Sequence, residues 1–328
     1  MWRGFCLSVI VSFLISLLLF VLFVPVLKKL KAGQPVLSYV GEHKNKSGTP
    51  TMAGLLFITA SFISYSVLTG FSYKITNVII AFTRGFMLVG FMDDMIKIKN
   101  NRNLGLKAYQ KIIFQLSLSV IAGIFCYING LTEIVIPFSY KSFDLGKWVF
   151  VFVPFVFLAT TNSVNLLDGL DGLCGSVTAV YLFFFSAILL FESNLDMISL
   201  NGKDVVSVIN YLSCVFGALL AFLIFNQNKA SVFMGDTGSL ALGGVVATAG
   251  IFSGNSFYII LLGFIYVVTA LSVLMQVLYY KKTKRRIFKM APLHHHFQMS
   301  GFAESKIAYC YSLITFLAGV CIICFFVW

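Results

Sequence analysis

Five aspartates, Asp93, Asp94, Asp168, Asp171 and Asp236, stand at the edges of long apolar runs in a chain with only 12 Asp and Glu residues in all. A carboxylate in or beside lipid is costly, so a chain that keeps several together holds something cationic, most simply a metal ion. Lysine-rich and asparagine-containing segments surround these positions. That mixture suits a magnesium-bridged phosphate substrate handled at a membrane surface.

Each cluster has its own chemistry. Phe91-Met92-Asp93-Asp94 closes the third apolar run, with Lys97 just beyond. One carboxylate there can ligate a metal or orient a nucleophile while the other sets its field. A solvated helix end is a poor alternative, because negative charge at a helix C-terminus opposes the macrodipole. Asn162, Asn165 and Asp168 recur every three residues, and Asp171 follows. On a helix or tight turn that spacing stacks polar groups along one face. The two Asp-Gly pairs also read as turns, but a turn does not need two asparagines inside an apolar run. Gly235-Asp236-Thr237-Gly238 opens another run. Its glycines would let backbone approach a phosphate at a helix N-terminus, and Asp236 there could hold magnesium or cap the helix. Lys46 and Thr49, in Lys46-Ser47-Gly48-Thr49, suit phosphate binding or a capped helix start. His294-His295-His296 lies in a basic loop. No Cys or acidic residue accompanies it at zinc spacing, so imidazoles beside a diphosphate fit better than a transition-metal site.

The elements that must position these residues are membrane helices. The 328 residues are 59% hydrophobic and 11% charged, against about 25% charged in soluble proteins. Apolar runs over about 5–27, 52–70, 76–92, 110–128, 147–162, 173–191, 207–225, 238–253, 257–278 and 306–327 predict about ten spans. The expectation is an all-α polytopic membrane protein, a single domain over 1–328. The first run is too long for a signal-peptide core and reads as a retained helix. Lysines and arginines crowd the odd-numbered loops: Lys28 to Lys46, Lys97 to Lys111, Lys229, and Lys281 to Lys306. The other side carries Arg3, Lys74, Lys141, Lys147 and Lys203. The positive-inside rule therefore makes the odd loops cytoplasmic and both termini outer. All five aspartates then fall on the cytoplasmic side, although they played no part in setting the orientation. The net charge of +12 reflects this asymmetry and attraction to anionic lipid. No basic soluble domain is available to bind nucleic acid. Arg84, inside the third run, is expected to be structural. Cys321 and Cys324 in the last run are expected to pack on one helix face.

Taken in order, six segments resemble the phospho-N-acetylmuramoyl-pentapeptide transferases: KSGTPTMAG (Lys46 to Gly54), FMDD (Phe91 to Asp94), GLKAYQK (Gly105 to Lys111), NSVNLLDGLDGL (Asn162 to Leu173), FMGDTGSL (Phe233 to Leu240) and APLHHHF (Ala291 to Phe297). The resemblance implies ten helices, a homodimer in the bacterial cytoplasmic membrane, and a magnesium-dependent phosphotransferase site facing the cytoplasm. It implies transfer of phospho-MurNAc-pentapeptide from UDP-MurNAc-pentapeptide to undecaprenyl phosphate, with release of UMP. By position, Asp93, Asp94 and Asp236 are then the essential carboxylates and Asp236 the magnesium ligand. Asn165, Asp168 and Asp171 bind the uridine-diphosphate groups, with Asn162 and His294 in the same motifs. Phe233 stacks on uracil, Lys46 and Lys111 are phosphate-side cations, and His295 and His296 line the site. Three positions depart from the family pattern: Ala53 for a second Gly, Gln298 for a Glu, and Thr269 for a Glu. The rival readings are a GlcNAc-1-phosphate transferase acting on the same lipid, a prenyltransferase and a transporter. The PLHHHF and KSGTPTM segments oppose the first. A prenyltransferase would show two well-spaced Asp-rich repeats and would leave the FMGDTGSL and histidine segments without a role, and no internal repeat supports the transporter.

Overall fold

The computed structural model describes residues 2–29, 49–100, 104–139, 141–194, 200–227 and 229–327. Lys46 lies outside them. In chain order the helices are α1 (Trp2–Lys29), α2 (Gly54–Thr69), α3 (Lys74–Lys99) and α4 (Ala108–Ile128), followed by strands β1 (Glu133–Ile136) and β2 (Lys141–Asp144). Then come α5 (Val149–Leu167), α6 (Leu173–Asn194), α7 (Gly202–Asn226), α8 (Gly235–Phe252), the short α9 (Tyr258–Leu261), α10 (Phe264–Thr283), the short α11 (Leu293–Gln298) and α12 (Glu304–Val327). Each expected apolar run coincides with a long helix, as backbone in lipid requires. Among the described residues, eight helices are long and apolar enough to cross a membrane, and the chain is a multi-pass membrane protein. The other two long helices are α2, of 16 residues, and α8, of 18.

α8 is the axis of the bundle. Every residue from Thr237 to Phe252 is buried, with α3 and α5 packed along it. Its glycines allow this closeness, as small residues do between membrane helices. A Cβ on Gly243 would press into Thr161 of α5 and one on Gly244 into Phe86 of α3. On the far side, α1 lies on α7, and Ser12 and Ser16 donate to the carbonyls of Cys214 (2.6 Å) and Ala218 (3.1 Å). Phe86 and Phe157 stack at 5.3 Å between α3 and α5.

Four local features differ from the expectation. α3 continues through Lys99, so the Asp93-Asp94 pair lies inside a helix rather than at its end. A two-stranded antiparallel hairpin, pairing Glu133 with Asp144 and Ile136 with Lys141, interrupts the all-α pattern. It is pinned to the far end of α8 by Val135 N–H donating to Gly254 O (2.9 Å), about 27 Å from the α8 N-terminus at 1.5 Å per residue. The histidine segment is the short helix α11 rather than a loop. Cys321 and Cys324 are exposed on α12 instead of packed. Arg84 sets its guanidinium 3.2 Å from the centre of the Phe62 ring, a cation–π contact that offsets part of its cost in the span.

Candidate active site

The N-terminus of α8 gathers the expected carboxylates. α2, α3 and α8 meet there at backbone contact: a Cβ on Gly54 would overlap Gly238, and one on Gly90 would overlap the Asp236 carbonyl. Gly235 turns the chain into α8 with φ +68°, a left-handed conformation suited to glycine. The segment before α2 is tied alongside. Phe233 N–H donates to Pro50 O (2.8 Å), and Ala53 and Gly54 N–H donate to Phe233 O (3.0 Å) and Met234 O (3.1 Å). The motifs around Thr49 and Phe233, far apart in sequence, are one ladder, with the Phe233 ring and Thr49 half-buried beside it. Ala53 has helical φ and ψ, so its departure from glycine is accommodated.

Asp94 is fully buried and caps α8 from another helix. Its Oδ2 accepts from Thr237 N–H (2.9 Å) and Thr237 Oγ1 (2.7 Å), and its Oδ1 accepts from Asp236 N–H (3.2 Å). A helix N-terminus needs acceptors for its free N–H groups and favours negative charge. That partner explains why α3 carries a carboxylate pair without ending. Asp93 faces elsewhere. Its Oδ1 accepts from Leu106 N–H (2.8 Å) and its Oδ2 pairs with Lys97 Nζ (2.6 Å). Gly105 must be small here, since its Cβ would lie 2.5 Å from Asp93 Oδ1.

Asp236 is held by three cationic or amide donors. Its Oδ2 meets Lys111 Nζ at 2.6 Å and Lys97 Nζ at 3.0 Å, and its Oδ1 accepts from Asn165 Nδ2 at 2.8 Å. Asn165 also donates to Ser239 Oγ (2.8 Å). Lys97 and Ser239 take part although neither was singled out as a site residue. Lys97 follows Asp93 and Asp94 by four and three residues, which puts all three on one helix face. Ser239 follows Asp236 by three residues on α8, a spacing of the same kind within the FMGDTGSL segment.

The remaining predicted residues fall around this centre. Asn162 is turned to α4, donating to Gln115 Oε1 (2.8 Å) and to the Leu158 carbonyl (2.8 Å), and no hydrogen bond joins it to the carboxylates. Asp171 accepts from Ala230 N–H (3.0 Å) and holds the loop before α8. Asp168 ends α5. Burial, then the carboxylates of Asp236 and Asp94, push its carboxyl well above the ordinary range. His294 is buried against Gly169, with neither ring nitrogen hydrogen-bonded. Burial and the neighbouring His295 lower its pKa to about 3, so the ring is neutral. His295 faces Gln298, and His296 turns back to Lys289. Thr269, where a Glu was expected, is buried and donates its hydroxyl to the Ile265 carbonyl (2.8 Å).

The donor set suits a hard divalent cation. One oxygen each from Asp93, Asp94 and Asp236 lie within 4.8 Å of one another. Among the described residues these three carboxylates meet two ammonium groups, those of Lys97 and Lys111. That leaves one formal negative charge among oxygen ligands, which a hard divalent cation would offset.

Residues 76–254 match the family model described as glycosyl transferase family 4. The chain is 43% identical over 322 residues to the phospho-N-acetylmuramoyl-pentapeptide-transferase of Clostridium novyi (strain NT), covering 97% of this chain and 95% of that protein. It is 40% identical over 319 residues to the protein of that name from Thermoanaerobacter sp. (strain X514), covering 97% of each. With its counterpart from Clostridium botulinum (strain Eklund 17B / Type B) the identity is 43% over 323 residues, 97% of this chain and 94% of that one.

Proposed function

The chain belongs to the phospho-N-acetylmuramoyl-pentapeptide transferases, and from that membership we propose that it transfers phospho-MurNAc-pentapeptide from UDP-MurNAc-pentapeptide to undecaprenyl phosphate. The observation that carries this reading is the Asp236 carboxylate, clamped by Lys97, Lys111 and Asn165 beside Asp93 at the head of a buried helix. Oxygen ligands for a divalent cation and ammonium groups for phosphate stand together there. The setting proposed is the bacterial cytoplasmic membrane, with the site on the cytoplasmic side and the chain as a homodimer.

Phosphoryl transfer is mostly positioning and charge neutralisation. An oxygen of the lipid phosphate attacks the phosphorus that bears the sugar. The bond from that phosphorus to the bridging oxygen breaks, and UMP leaves. A phosphate monoester has its second pKa near ~6 and is largely dianionic at pH 7, so it needs little help from a base. This favours direct attack over an aspartyl-phosphate intermediate. Both oxygens of Asp94 are engaged by α8, so Asp94 acts by positioning Asp236. Asp93, paired with Lys97, is the better placed to orient the acceptor phosphate. Lys97 and Lys111 supply positive charge to the diphosphate. Asp236 would hold magnesium, with Asp93 beside it, and the ion when bound would offset the charge that develops on the leaving phosphate. Phe233 and Asp168 offer a ring and a carboxyl to the uridine end, while Thr49 and Lys46 belong to the phosphate side.

The test is UMP release by the purified protein with UDP-MurNAc-pentapeptide, undecaprenyl phosphate and magnesium, beside Asp236→Asn. Release that needs both substrates and the metal, and is lost in the variant, is expected. Release with UDP-GlcNAc alone would replace the donor in this reading, and transport of donor without UMP would replace the reaction class.

A further inference from the structure

Gln298 follows the three histidines, and Glu304 opens α12. Asp171 N–H donates to Glu304 Oε2 (3.2 Å), and Gln298 Nε2 donates to Glu304 Oε1 (3.1 Å). A carboxylate only accepts, so Gln298 turns its NH₂ to Glu304 and its carbonyl to the other side. There it meets His295 Nδ1 at 3.0 Å. A carbonyl oxygen takes a hydrogen bond only from a protonated nitrogen, so Nδ1 of His295 carries the hydrogen. In a neutral ring the lone pair is then on Nε2. That Nε2 lies against Gly169, the chain neighbour of Asp168: a Cβ on Gly169 would be 2.9 Å from it. His296 is set the opposite way. Its Nδ1 accepts from Lys289 N–H (3.1 Å), which leaves its ring hydrogen on Nε2.

We propose that Gln298 and Glu304 are positioning residues that hold His295 in the Nδ1–H tautomer, so that adjacent imidazoles present opposite hydrogen-bonding faces. His295 then takes a hydrogen bond from an O–H or imide N–H of the nucleotide sugar, and His296 gives one to an oxygen. The inference rests on the reading of this site as one for a uridine-diphosphate sugar. It also makes sense of Gln at 298. A carboxylate moved one step back, to Glu304, orients the ring through an amide and at the same time holds the Asp171 turn.

The experiment is NMR of the imidazole nitrogens of the full-length, ¹⁵N-histidine-labelled protein in lipid nanodiscs, without substrate. A His295→Asn variant assigns the His295 signals. The wild type is expected to show His295 protonated on Nδ1. In Gln298→Leu that ring should revert to the Nε2–H form preferred by free imidazole, and in Gln298→Glu, which keeps an acceptor, it should stay on Nδ1. In turnover assays Gln298→Leu should raise the KM for the donor several-fold while kcat changes less than about twofold, a split that a general loss of structure would not give. Nε2–H at His295 in the wild type would overturn the proposal, as would an unchanged tautomer in Gln298→Leu. Because the tautomer is read without turnover, failure there is separate from any failure of UMP release.

Discussion

Asp93 and Asp94 are chain neighbours with different partners, and they should fail differently when changed. Asp94→Asn replaces one of the two acceptors facing the Asp236 and Thr237 N–H groups with a donor. Loss of such a cap costs about 1–2 kcal/mol. We expect a lower melting temperature and lost transfer together, whereas Asp93→Asn should lose transfer with a much smaller change in melting. Asp168 has the opposite sign. Its carboxyl is raised above the ordinary range by burial and by Asp236 and Asp94. Between the unfolded value of about 3.9 and the raised folded value, the folded state keeps a proton that the unfolded state has released. Stability therefore falls as pH rises through that window. With chelator present, Asp168→Asn should melt above the wild type at pH 8, with the gap closing toward pH 4. A thermal series in detergent reads it. The carboxylates were legible in the sequence because a charge in an apolar run has few structural excuses. Gln115 and Glu304 were not, because each serves a neighbour on another element and no spacing within its own segment signals that.

Among the elements, the junction of α2, α3 and α8 carries the most demanding geometry. Gly90→Ala would drive a methyl into the Asp236 carbonyl. Overpacking of this kind costs about 1–3 kcal/mol. A clash with backbone leaves no side chain to yield, so the upper end is expected. The measurement is the drop in melting temperature, with Gly70→Ala, where a Cβ meets nothing but φ is +61°, as a control for backbone strain alone. The length of α3 could not be read from the sequence. Two aspartates look like a helix meeting water until the N–H groups of α8, 142 and 143 residues away, are seen to receive one of them. The hairpin was equally hidden, since strands of four residues give too little alternation to stand out, and the anchor to Gly254 is a contact between distant segments. The long helices needed only their own apolar runs and were legible throughout.

For the whole molecule, the lysine and arginine asymmetry sets an orientation that labelling can read. In a background lacking the seven native cysteines, Lys203→Cys should react with a membrane-impermeant maleimide on intact cells, and Lys284→Cys should react only after the cells are opened. The reverse pattern would put the carboxylates on the outer face and remove the nucleotide-sugar donor as substrate. The burial of α8 has a further consequence for how the protein is made. With five glycines, an aspartate and several hydroxyls in 18 residues, α8 is a weak candidate to partition into lipid alone, and no residue after Asp236 needs a lipid-facing side. It would have to leave the translocation channel in the company of α3 and α5, already synthesised and waiting. A ribosome stalled before α8 would leave those helices around an unfilled axis, a form that membrane quality-control proteases should recognise.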